Sequence, residues 1–258
     1  MILDTIIAST RKRVEAKKSL VSFDTIKKQA QALTAAPPSF YQALNKQGLS
    51  LICEVKKASP SKGVISQDFP YMQIASAYEK GGASAISVLT EPEFFLGSPA
   101  YLKEIAAAVK IPVLMKDFVL ESYQIYEARA LGASAVLLIC GVLSEAELRE
   151  HLKLAHSLKL DCLCEVHSAA ELEIAAQSGA RIIGVNNRNL KDFTVDIGNA
   201  LAMKAKAPQG VIFVAESGIQ TIEDIQSLKS AGIDAALIGE AFMRAEDIEA
   251  RVREFNRA

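Results

Sequence analysis

The chain has 258 residues, half of them hydrophobic, with 29 Lys and Arg against 30 Asp and Glu. That length suits one α/β barrel, and a net charge of −1 with a pI near 6.3 excludes a globally basic face for nucleic acid or an anionic membrane. No apolar run approaches the roughly 20 residues that span a bilayer, and the charged block Arg11, Lys12, Arg13 follows the first apolar residues, the reverse of a signal peptide, so a cytoplasmic protein is expected.

Residues 1–48 read as an extension. Ile2, Leu3, Ile6, Ile7 and Val14 mark one amphipathic helix, and Phe40, Tyr41 and Leu44 a second, with Pro37-Pro38 breaking the two. From residue 49 onward eight short apolar runs recur, at 51–56, 85–90, 112–117, 135–140, 161–166, 181–186, 211–216 and 234–239. They are rich in Val, Ile, Leu and Ala, as parallel strands buried on both faces are, and their spacing is that of a βα unit.

Helical patterns lie between the runs. Leu148, Leu152, Ala155 and Leu158 share a face. Ser144-x-x-Glu147, Ser168-x-x-Glu171 and Thr221-x-x-Asp224 open helices with capping-box signals. Gly82, Gly132, Gly179 and Gly232 recur at intervals of 50, 47 and 53 residues, each at a helix end before an even-numbered run. The reading is α/β: a single (β/α)₈ TIM barrel, 1–258, made of a helical extension (1–48) and the barrel (49–258). A doubly wound open sheet would show a G-x-G-x-x-G turn after the first strand, and Lys57-Ala-Ser-Pro-Ser-Lys-Gly63 is not that motif.

Cys53, Cys140, Cys162 and Cys164 fall in or at the end of the runs and read as buried free thiols of a reducing compartment. No ligand set for a metal accompanies them. His151, His156 and His167 are scattered and read as solvated, so no His-based triad is expected.

Barrel enzymes carry their chemistry at the C-terminal ends of strands. Those ends hold Glu54 and Lys56, then Lys116-Asp117, Glu165, Asn186 and Glu216. Residues two apart share a face, so Glu54 and Lys56 point the same way. If that face is the interior, two lysines and three glutamates converge at the mouth, where one lysine can serve as an acid and one carboxylate as a base. Glu216-Ser217-Gly218 and Gly239-Glu240 end the last two runs, the usual phosphate cradle of this fold, and Glu240 would have to turn its carboxylate away. Ser59-Pro60-Ser61-Lys62-Gly63 reads as a polar loop with a mobile Lys62. Arg188 is a candidate for a substrate carboxylate. Phe95, Phe118, Leu137 and Leu190 could wall an aromatic group.

Five segments together resemble indole-3-glycerol phosphate synthase: Glu54-Val-Lys-Lys-Ala-Ser-Pro-Ser61, Leu89-Thr-Glu91 with Phe95-x-Gly-Ser98, Leu114-Met-Lys-Asp-Phe118, Gly184-Val-Asn-Asn-Arg-Asn-Leu190 and Val214-Ala-Glu-Ser-Gly-Ile219. The resemblance runs in order over nearly the whole chain. It implies a carboxy-lyase of tryptophan biosynthesis that closes a ring on 1-(2-carboxyphenylamino)-1-deoxyribulose 5-phosphate, with no cofactor. It implies Lys116 or Lys56 as general acid, with no choice between them, and Glu165 as the base for dehydration. Glu54 would orient and charge Lys116, while Glu216 and Asn186 hold substrate hydroxyls or the base. Ser59, Ser217, Gly218 and Gly239 would serve the phosphate, with Glu240 at that site; Arg188, Ser61 and Lys56 would serve the carboxylate. The expected partner is a phosphorylated small molecule, with no nucleic acid and no membrane, and a monomer is expected. The alternatives are a phosphoribosylanthranilate isomerase-like enzyme, which two lysines disfavour, and a barrel that binds a phosphate ligand without catalysis.

Overall fold

The computed structural model describes residues 2–189 and 194–258. The extension forms three helices: α1 (Ile2–Leu20), α2 (Phe23–Ala32) and α3 (Phe40–Leu44). α2 departs from expectation, since the sequence reading placed no helix there. It buries only Ile26 and Ala30, too few apolar positions to show a period, and its start is fixed locally by Ser22, whose Oγ accepts the Thr25 N–H at 3.3 Å.

Next come β1 (Ser50–Val55), a hairpin of β2 (Ala58–Ser59) with β3 (Gly63–Val64), and α4 (Tyr71–Gly81). Alternating units follow: β4 (Ala85–Leu89), α5 (Pro99–Ala108), β5 (Val113–Lys116), α6 (Ser122–Ala130), β6 (Ala135–Ile139), α7 (Glu145–Ser157), β7 (Asp161–Val166) and α8 (Ala169–Gln177). β8 (Ile182–Asn186), α9 (Gly198–Lys204), β9 (Ile212–Glu216), α10 (Ile222–Ser230), β10 (Ala235–Ile238), α11 (Glu240–Met243) and α12 (Ile248–Arg257) complete the chain. The eight long strands are parallel, and β1 pairs with both β4 and β10, so the sheet closes and the open-sheet alternative falls.

Closure divides the buried side chains in two by parity. Leu51, Cys53 and Val55 of β1 face the helices, and Ile52 faces inward. The inner layer, including Ala85, Leu114, Leu163, Ile182, Val214 and Leu237, mixes large and small side chains to fill a narrow space. Each Leu or Ile buried there contributes about 1.5–3 kcal/mol. Phe40 and Leu44 of α3, both fully buried, plug the N-terminal mouth below this layer. The plug is pinned by Asp161 at the start of β7, which accepts from the Tyr41 N–H at 2.9 Å and the Ser39 hydroxyl at 3.2 Å.

The predicted caps form. Gly82, Gly132, Gly179 and Gly232 all adopt positive φ, and the full capping boxes of Ser144 with Glu147 and Thr221 with Asp224 are present. All four cysteines are free and buried. Two histidines differ from expectation: His151 is buried on α7 and His167 is half-buried beside Glu165, while His156 is exposed as expected. Among the described residues no helix is long and apolar enough to cross a membrane.

Candidate active site

Parity continues upward from the inner layer. Two residues beyond four of the inward apolar side chains stands a charged one: Glu54 above Ile52, Lys116 above Leu114, Glu165 above Leu163 and Glu216 above Val214. They form the floor of a cavity of about 820 Å³ at the C-terminal mouth, a volume that suits a drug-sized ligand.

Lys116 is the hub of the floor. Its Nζ donates to Glu165 Oε2 at 3.1 Å and to Glu216 Oε2. Burial disfavours the ammonium, but Glu216, Glu165 and Glu54 more than offset it and hold Lys116 charged. Burial raises the carboxyl of Glu216, and with Glu165 close by it is pushed up to about 7 despite Lys116. Burial also acts to raise Glu165, yet Lys116, His167 and the Asn186 amide outweigh it and hold that carboxyl below its usual value. Two buried carboxylates on one lysine thus differ in proton affinity, and the Asn186 Nδ2 bond of 3.2 Å to Glu165 Oε1 marks the more acidic one.

Glu54 helps hold the Lys116 charge but makes no ion pair with it. Its Oε2 accepts from Lys56, its neighbour on the same strand face, and it reaches Lys116 only through space. Gly239 makes room for this pair, since a Cβ there would lie 2.6 Å from Glu54 Oε2 and 3.2 Å from Lys56 Nζ. The loop after β1 is also more ordered than expected. It is the β2–β3 hairpin, with Ala58 paired to Val64, and Ser59 and Ser61 face each other at 3.5 Å between their hydroxyls. Lys62 at its tip lies 3.4 Å from Glu240, which also accepts from Arg244 Nε at 3.1 Å. The Glu240 carboxylate therefore turns to two cations.

Two strands round from β1, the turn after β9 is strained. Ser217 has φ 67° and Gly218 φ 84°; a left-handed serine costs about 1 kcal/mol. The buried Asn187 holds the turn, its Nδ2 donating to the Ser217 carbonyl at 3.1 Å and its Oδ1 accepting from the Ala200 N–H at 3.0 Å.

The third wall is apolar. Glu91, buried after β4, accepts the N–H groups of Glu93, Phe94 and Phe95, which fixes Phe95 at 6.3 Å from the ring of Phe118. Leu137 lies below them, and Ile2, Leu3 and Ile6 of α1 close the side. α1 is tied down beside the hub by Arg13, which grips Asp117 with two bonds of 2.7 and 3.1 Å. The extension thus does more than pack on the barrel: it lines the cavity.

Glu54, Lys56, Ser59, Ser61, Phe95, Lys116, Phe118, Leu137, Glu165, Asn186, Arg188, Glu216, Ser217, Gly218, Gly239 and Glu240 all border this one cavity. Leu190 lies outside the described residues.

A family model described as indole-3-glycerol phosphate synthase matches residues 3–255. A synthase of that name from Endomicrobium trichonymphae is 55% identical over 255 residues, 98% of this chain and 99% of the relative. One from Ruminiclostridium cellulolyticum is 52% identical over 253 residues, 98% and 97% of the two chains. The chain belongs to the indole-3-glycerol phosphate synthase family. Among solved structures, 3-hexulose-6-phosphate synthase from Salmonella typhimurium superposes with a TM-score of 0.67 at 15% identity, covering 81% of this chain and 97% of that one. That likeness shows the fold alone. Membership in the synthase family makes the chain a carboxy-lyase of tryptophan biosynthesis.

Three residues were given no role at the site by the sequence reading: Asn187, His167 and Gly184. Gly184 faces inward on β8 at the level of the hub, where a Cβ would overlap Glu216 Oε1 and lie 3.1 Å from Leu163 Cδ1. The signal was its parity with Asn186 two residues on. Gly184→Ala is expected to push Glu216 off Lys116 and lower kcat roughly 100-fold with a smaller change in KM, the usual cost of an ~1 Å misplacement. Steady-state kinetics check this; an unchanged kcat would mean that the position of Glu216 is immaterial.

Proposed function

We propose that the cavity binds 1-(2-carboxyphenylamino)-1-deoxyribulose 5-phosphate and converts it to indole-3-glycerol phosphate, CO₂ and water. The observation that carries this is Lys116, held charged between Glu165 and Glu216 on the floor of a site with an aromatic wall on one side and glycine turns on the other.

The chemistry asks for those groups in that order. The ketone oxygen must receive a proton as the aromatic carbon attacks it, and Lys116 is the buried ammonium at the centre of the floor. Loss of CO₂ then restores aromaticity. Dehydration needs an acid to release the hydroxyl as water and a base to take the amine proton; Glu165, kept ionised, is that base. Lys56, turned by Glu54, meets the substrate from the first strand, with Arg188 and Ser61 as its partners for the carboxylate. Glu216 and Asn186 hold substrate hydroxyls. The phosphate lies against Ser217, Gly218 and Gly239, with Ser59 across from them. Glu240 contributes there by its backbone N–H, its carboxylate being engaged by Lys62 and Arg244.

An isomerase of the thiolate type is disfavoured because burial pushes the Cys140 thiol up to about 12, and the other thiols are buried too. A monomer in the cytoplasm, without nucleic acid, belongs to the same reading: buried free thiols suit a reducing compartment, and the net charge of −1 carries no global basic excess. Adding the arylamino ribulose phosphate and following indole fluorescence tests the proposal against a background free of tryptophan, which the chain lacks. Tight binding without an indole signal would favour the non-catalytic barrel and overturn the reading.

A further inference from the structure

β7 ends at Val166, but the alternation of its side chains runs one residue further. Glu165 points into the cavity, and His167 follows on the same side. Its Nε2 lies 3.4 Å from Glu165 Oε1, and its Nδ1 lies 3.7 Å from Glu171 Oε2. Nε2 is shielded from water and, among the described residues, has no hydrogen-bond partner. The imidazole therefore lies between two carboxylates, one near each nitrogen, at ion-pair rather than hydrogen-bond geometry.

Its placement is built in. Ser168 caps α8, accepting the Glu171 N–H at 3.2 Å. In a full capping box Glu171 would return a bond to Ser168. Instead its Oε2 takes the His167 N–H, one residue earlier, at 2.9 Å. The carboxylate that faces the ring thus also anchors the backbone beneath it.

The groups facing Glu165 are Lys116 from β5, Asn186 from β8, His167, and Glu216 across from β9. Asn186 is neutral, and Glu216 opposes ionisation. Lys116 supplies most of the compensating charge, but as a general acid it gives up its proton during the reaction. At that moment the Glu165 carboxylate is left buried without the charge that chiefly offsets its burial. A cation that does not take part in the acid step keeps its ionised form favourable.

We propose that His167 is a positioning residue for Glu165: as an imidazolium between Glu165 and Glu171 it keeps the Glu165 carboxylate ionised while Lys116 is deprotonated. This rests on Glu165 acting as the base of dehydration. Burial of the ring favours its neutral form, but Glu171 and Glu165 outweigh burial and raise its proton affinity, in keeping with a charged ring.

The test is an NMR titration of the Glu165 side-chain carboxyl in ¹³C-glutamate-labelled enzyme, assigned by its loss in Glu165→Gln, together with single-turnover dehydration from low to neutral pH. In His167→Leu the Glu165 titration is expected to rise by about one pH unit, the shift typical of losing one nearby opposite charge, and the acid limb of dehydration to rise with it. His167→Asn, polar but uncharged, should do the same, and His167→Lys should move both back toward the parent. An unshifted Glu165 titration overturns the inference whatever Glu165 does. A shifted titration with dehydration unchanged, and unchanged again in Glu165→Gln, would instead refute the base assignment and leave the hold of His167 on Glu165 standing.

Discussion

Replacing Lys116 with methionine is expected to slow formation of indole-3-glycerol phosphate by roughly 10²–10⁴-fold, the range a positioned general acid contributes. The loss has two sources. The ketone oxygen no longer receives a proton as the ring closes. The floor also changes charge, because Glu165 and Glu216 are 3% and 1% exposed and cannot both stay ionised without the ammonium. Glu216, already pushed up to about 7 beside Lys116, is the one that keeps a proton. Methionine fills the volume of the lysine stem, so the barrel closes around it. Single-turnover fluorescence isolates the ring-closing step, and KM should move far less than kcat, because the phosphate turns and the aromatic wall are untouched. Turnover within tenfold of the parent would transfer the acid role to Lys56.

Glu165→Gln should separate the two halves of the reaction. The amide keeps the shape of the side chain and an oxygen for Lys116, so ring closure and CO₂ release are expected to stay within about threefold of the parent. Dehydration loses its base and should slow by about 10²–10³-fold, so that the hydroxylated intermediate accumulates. The parent enzyme should hold the base form from neutrality down past the ordinary carboxylate range, since Lys116, His167 and Asn186 outweigh burial and depress the Glu165 carboxyl. Its dehydration rate therefore falls only at acid pH, as Glu165 takes up its proton. Rapid quench followed by chromatography of the intermediate is the measurement. Equal slowing of closure and dehydration would show that Glu165 acts earlier.

Much of this was legible because parity is a local property. A residue two places above an inward apolar side chain also points inward, so Glu54, Lys116, Glu165, Asn186 and Glu216 could be gathered at one mouth from spacing alone. What parity does not give is distance across the barrel. Glu54 was assigned to Lys116, but a carboxylate finds the ammonium two residues away on its own strand before one two strands round the circle. His167 was read as solvated because the histidines are scattered along the chain; the strand alternation carried one residue past Val166 would have placed the ring beside Glu165. α2 and the β2–β3 hairpin are set by a single cap and a two-residue pairing, too short for any period to appear. Gly184 and Gly239 matter through the space they leave, and an empty volume has no sequence signature until its neighbours are known.

The extension that touches both mouths of the barrel also orders events on the ribosome. Ser39 is made 122 residues before Asp161, its anchor at the lower mouth, and Arg13 is made 104 residues before Asp117 at the upper one. At roughly 5–20 residues per second, Phe40 and Leu44 wait on the order of ten seconds for the strands they will plug. For that interval the nascent chain carries an apolar segment with no home. A chaperone encountering it would meet the future plug of the lower mouth before there is a barrel to close.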